Sequence, residues 1–142
     1  MRLRSGREEK WMANEMIPDE LNAKGVFLRD TGVSQWVYSD EYAWKYSAAM
    51  EVIDFLDRNG YVVLGGHVLG SDLRYEGSQW DYRYQEHQPM SSNIHESARQ
   101  AYGYLEWFFR NLGDDYHYTI TAVTQERYRQ LLEEEIILVL PK

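Results

Sequence analysis

Apolar positions change their period several times along this 142-residue chain, and each change marks an element. Tyr42, Tyr46, Ala49, Ile53 and Leu56 follow one another at spacings of four, three, four and three. That stripe is one face of a helix, with Ser39 or Asp40 placed to cap its start. Asn59-Gly60 stops it, and Tyr61 to Leu64 is a short β-rich run between glycines, suited to a central or near-central strand. Trp80, Tyr82 and Tyr84 alternate with Asp81, Arg83 and Gln85, the period of a half-buried strand. Helical spacing returns with Ile94, Ala98, Ala101, Leu105 and Phe108 or Phe109, behind a capping box of Asn93 and Glu96. Gly113 ends that helix and Asp114-Asp115 supply a turn. Tyr116 to Val123 alternates again, as a third strand would.

The margins are less patterned. Residues 1–10 are charged and poor in apolar side chains, which predicts a disordered tail before a single domain over 11–142. Trp11 to Asn22 is helical material interrupted at Pro18, and Asp19-Glu20 suit a fresh helix turn. Val26-Phe27-Leu28 suits an extended or a helical stretch equally. Gln125 to Glu134 reads as a short charged helix capped by Thr124, and Ile136 to Leu140 as a closing strand. The sum is an α+β fold, a small antiparallel sheet of three or four strands with helices packed on one face.

Charge narrows the partners. The formal net charge is −8, and residues 1–10 hold two more positive than negative charges, leaving −10 for the rest. An acidic body is a poor match for a phosphate backbone and a good one for a basic protein, so neither nucleic acid nor membrane is expected as a partner. There is no cysteine, hence no disulfide framework and no thiolate metal site. The N-terminal charges precede no apolar run and no stretch has the length of a membrane span, so the expected compartment is the cytoplasm. Aromatic residues reach 15%, including 12 tyrosines and five tryptophans, residue types that serve core margins and interface centres alike.

One set of residues points to a family. Gly32-Val33 with Trp36, a helix ending near Asn59-Gly60, then Val63-Leu64-Gly65-Gly66 with Val68, then Trp80 and Tyr82, resembles the immunity protein 40 family of bacterial polymorphic toxin systems. The similarity covers roughly residues 25–123, and Trp36, Gly65, Gly66 and Val68 carry the family motif as structural positions. This chain has His67 where that family usually has aspartate, and Leu69 where it has an aromatic residue. The resemblance implies a small α+β protein that neutralises a toxin domain without catalysis.

The remaining chemistry is thin. Gly65-Gly66 follows a strand but lacks the third glycine, the Lys-Ser/Thr pair and the following helix of a phosphate-binding loop. His67, His87, His95 and His117 show no zinc-ligand spacing, so neither metal nor cofactor is expected. No Gly-x-Ser-x-Gly occurs. A hydrolase or transferase would have to centre on His67 with a nearby carboxylate, and a non-toxin adaptor is the other alternative. The stretch that best fits partner binding mixes acids with aromatics: Asp72, Tyr75, Glu76, Trp80, Asp81, Tyr84 and Glu86. Carboxylates there would speed encounter with a basic toxin and the aromatics would anchor it. The competing expectation is that Trp80, Tyr82 and Tyr84 share one side of a strand and face the core.

Overall fold

A computed structural model of the chain describes residues 16–134 and the backbone of residues 139–140. Residues 1–10, and Trp11 to Glu15 of the predicted first helix, lie outside them. The sheet is organised by strand β3 (Val62–Leu69), which pairs on both edges. Strand β4 (Tyr75–Asp81) lies antiparallel on one side. On the other lie β6 (His117–Tyr118) and β7 (Thr121–Val123), and β6 leads on to β2 (Tyr42–Lys45) and β1 (Val26–Phe27). The class is α+β as expected, with six strands in this sheet where three or four were predicted. Strands β1, β6 and β7 are only two or three residues long, too short for a period of two to register.

β3 continues through Gly65-Gly66, where the pattern predicts a strand that stops at Leu64. Glycine here answers to crowding. A Cβ on Gly65 (φ +154°) would overlap the backbone carbonyl of Trp80. One on Gly66 would overlap the carbonyl oxygen of Thr119 and sit 2.6 Å from the Trp80 ring. A register shift between Val63 and Gly65 bulges the ladder there, and the predicted 116–123 strand breaks into β6 and β7 opposite it. Thr119, in the gap, stays tied to β3: its N–H donates to the His67 carbonyl at 3.0 Å and its Oγ1 accepts from the His67 N–H at 2.9 Å.

Two helix starts differ from the sequence reading. Helix α2 spans Tyr46–Arg58, and Tyr42–Lys45 forms β2, because pairing on both edges overrides a stripe that reads equally well as alternation. Ser39 instead accepts from the N–H of Glu41 at 3.2 Å. Helix α3 spans Met90–Leu112 and starts behind Pro89, so Asn93 lies inside it. Its side chain turns inward, accepting from the Tyr82 hydroxyl at 2.5 Å and the Gln85 N–H at 2.7 Å and donating to three carbonyls, those of Gln85, Gln88 and Pro89. A residue suited to capping is spent on tying a loop to a helix.

Other expectations hold. α1 (Asp19–Asn22) follows Pro18, and of the two readings open for Val26-Phe27-Leu28 the first two residues are extended while Leu28 opens a 3-10 helix, Leu28–Thr31. α4 (Gln125–Glu133) is capped by Thr124, whose Oγ1 accepts from the Arg127 N–H at 3.1 Å. The predicted strand around Trp80 to Tyr84 divides into β4 and β5 (Tyr84–Gln85). β5 pairs in parallel with β8 (Val139–Leu140), the described part of the predicted closing strand.

The main core lies between the sheet and helices α2 and α3, where Trp44, Val68, Trp80 and Tyr118 meet Ile53, Leu56, Ala101 and Leu105. A second cluster joins Val62 and Val123 to Ile94 of α3 and to Tyr128 and Leu131 of α4. Alternation along β2 and β3 turns Ala43 and Leu69 to the opposite face, where Leu28, Trp36, Leu73 and Tyr75 cover them. No helix among the described residues is long and apolar enough to cross a membrane.

Candidate functional site

Trp36, Gly65, Gly66 and Val68 work as scaffold for the β3–β4 hairpin. Trp36 ends a 3-10 turn (Ser34–Trp36), and its Nε1–H donates to the Leu73 carbonyl at 2.6 Å. Its neighbour Gln35 accepts from the Tyr75 N–H at 2.9 Å. Two hydrogen bonds therefore fix the tip of the hairpin to a segment nearly forty residues upstream. Gly65 and Gly66 admit the Trp80 backbone and ring, and Val68 is 2% exposed in the core.

On the face turned away from α2 and α3, the register sets Asp81 opposite Gly65, Gln79 opposite His67 and Tyr75 opposite Leu69. These side chains form one connected row. The Tyr75 ring meets the His67 ring edge-on at 4.8 Å, its hydroxyl donates to Gln79 Oε1 at 2.7 Å, and Gln79 Nε2 donates to Asp81 Oδ2 at 3.3 Å. Glu41 belongs to the same neighbourhood. Burial raises its pKa above the usual carboxylate value, while the nearby His67 and the Ser39 hydroxyl act in the opposite direction.

At the hairpin tip Asp72 and Glu76 stand exposed. Both carboxylates converge over Gly70, where a Cβ would lie 2.5 Å from Glu76 Oε2 and 3.2 Å from Asp72 Oδ1. Asp72 also accepts from the Arg74 N–H at 3.1 Å, with the Arg74 guanidinium 3.6 Å away.

The structure thus gathers Asp72, Tyr75, Glu76 and Asp81 on one hairpin and separates the rest of the predicted set. Trp80 is 5% exposed, packed on Tyr104 of α3 at 5.1 Å, so its ring is a core element. Tyr82 is buried too, and burial pushes its hydroxyl up to about 12. Tyr84 is half-buried against Tyr128 at 5.5 Å, and Glu86 is exposed on the loop before α3.

A cleft of about 630 Å³ opens between residues 81–88 and α3. Asp81, Glu96, Arg83 and Arg99 contribute to its lining, two acidic residues and two basic ones. His67 does not line it. Elsewhere His95 pairs with Asp57 at 3.2 Å, and burial lowers the pKa of His117, with Lys45 adding to the effect and Asp114 opposing it. No group of three His, Asp or Glu side chains among the described residues is arranged to hold a metal ion.

Sequence reasoning passed over one surface, the C-terminal end of α3. Trp107, Phe109 and Leu112 are 55%, 38% and 49% exposed there. Extending the stripe of Ile94, Ala98, Ala101 and Leu105 leads to Phe108 and leaves Trp107 off the buried face, which was the available signal.

The family model described as Immunity protein 40 matches residues 27–122, a span that contains Trp36, both glycines and the whole hairpin. No curated protein and no solved structure matches the chain.

Proposed function

Since this chain belongs to the immunity protein 40 family, we propose that it binds a cognate bacterial toxin domain in the cytoplasm and neutralises it by stoichiometric occlusion, without cofactor or catalysis. The observation that carries the hairpin as the contact surface is its combination of charge and fixity. Asp72 is exposed on the turn that Trp36 and Gln35 hold, and Glu76 and Asp81 are exposed along the strand that follows it. Preset carboxylates lose little freedom on binding and attract a basic surface from a distance. Tyr75 supplies an aromatic contact among them. Trp80 and Tyr84 serve from beneath, as packing that keeps the edge strand in register.

A hydrolase or transferase centred on His67 has less behind it. The ring contacts Tyr75 and Thr119, and the cleft large enough for a small substrate is lined by residues from Asp81 to Gln88 and by α3, not by His67.

The test is capture of partners on the tagged chain at low and moderate salt, then binding of the retained toxin domain in purified, inactivated form. A one-to-one complex is expected. Reversal of charge at Asp72, Glu76 and Asp81 is expected to slow association and flatten its salt dependence. A folded triple variant that associates like the native chain would reject the hairpin, and retention of no toxin by folded protein would reject the immunity role.

A further inference from the structure

α3 ends in an apolar collar that the fold does not use. Three of the five large apolar side chains exposed among the described residues fall within Trp107 to Leu112. At 100° per residue, Trp107 and Phe109 flank the buried Phe108 on either side, and Leu112 continues the core stripe into solvent. The two aromatic rings pack on neighbours. Phe109 stacks on Tyr46 of α2 at 4.2 Å with the rings 10° apart, and Trp107 meets Phe108 edge-on at 5.3 Å. Rigid aromatics that keep half their surface in water are what a binding hot spot requires.

Charge at this end is arranged against the helix itself. The last carbonyls of α3 carry negative partial charge, which favours cations nearby. The one basic residue of the last turn, Arg110, is paired with Glu106 at 2.8 Å. Asp114 and Asp115 follow directly, both exposed and with no ion-pair partner among the described residues. A cation brought from outside would relieve that repulsion, and Trp107 offers it an aromatic face.

We infer that the end of α3, formed by Trp107, Phe109, Leu112, Asp114 and Asp115, is a second contact surface for the toxin domain and receives a segment of it rich in arginine or lysine. The inference rests on the immunity reading proposed above. It assigns affinity to a surface separate from the hairpin, with basic side chains stacking on Trp107 while the aspartates and the helix end take up their charge.

Two experiments with the purified, inactivated toxin domain test it. In binding kinetics, Trp107→Ala should raise the dissociation rate about tenfold or more. Asp114→Lys with Asp115→Lys should slow association and flatten its salt dependence. Both variants should keep the native circular dichroism and melting temperature. In the second experiment a photoreactive benzoylphenylalanine at position 107 should crosslink to a basic peptide of the toxin. Native kinetics in both folded variants would overturn the inference and leave the immunity role standing. A crosslink to residues 1–15 or to a second copy of the chain would overturn it too, by naming another occupant. A native chain that binds no toxin removes both readings.

Discussion

The β3–β4 hairpin and the C-terminal end of α3 are built on opposite principles. In the hairpin every polar side chain that matters has a neighbour: His67, Tyr75, Gln79 and Asp81 form a row, and Trp36 and Gln35 hold the tip. At the end of α3 the large side chains are steadied on one side and open to water on the other. The first region is part of the fold, since its backbone and its inward side chains are paired with the central strand. The second is left out of the fold, with Trp107, Phe109 and Leu112 exposed to water. Under the proposed toxin-binding reading, fixed carboxylates guide approach and exposed aromatics resist departure.

That contrast can be broken first at the glycines. Gly66→Ala places a methyl group against the Thr119 carbonyl and the Trp80 ring, in a strand held on both edges. Chemical denaturation should report a loss of about 3 kcal/mol. Next is Trp36→Phe, which keeps an aromatic side chain, smaller than the indole, and deletes the bond to the Leu73 carbonyl. A loss of about 1 kcal/mol is expected, together with faster amide exchange at Tyr75. Trp107→Ala sharpens the comparison from the other side, because its stability should change by no more than about 0.5 kcal/mol while toxin affinity falls. A large loss of stability in that variant would mean that the collar belongs to the fold after all.

The last prediction concerns a slope with pH. Burial raises the Glu41 pKa, so the folded chain holds that proton to higher pH than the unfolded chain does. The site's contribution is fullest below the ordinary value of 4.5 and is lost as the pH rises through the folded value. Glu41→Gln should flatten the melting temperature between acid and neutral pH and leave the native chain relatively less stable at neutral pH.

Local pattern was a good guide where an element is long or locally terminated. The body of α2 from Tyr46, the end of α3 at Gly113 and the Thr124 cap all follow from spacing and capping chemistry. It misled where partners far along the chain decide. Tyr42 to Lys45 satisfies helical and strand periods at once, and only β1 and β6 settle the matter. Asn93 has the chemistry of a cap, yet the buried hydroxyl of Tyr82 and the backbone of Gln85 make it a hub. Two-residue strands such as β6 have no period to read.

The site divides along the same line. The acidic and aromatic composition of residues 72–86 was legible, and alternation offered both an interface and an inward side for Trp80, Tyr82 and Tyr84; the structure settles it inward for Trp80 and Tyr82. Strand pairing turned Trp80 inward and kept Asp81 out, and it placed Tyr84 against Tyr128 instead of beside Tyr75. Trp36 and the glycine pair stood out in the sequence, while what they do was visible only in three dimensions, as a brace for the hairpin tip and an opening for the Trp80 ring. By itself the sequence determined the α+β class, the acidic character and the family, because periodicity, charge and motif are local or additive. Tertiary structure alone decided which aromatics meet water and which carboxylates share a face, since both depend on which distant segment covers each side of a strand.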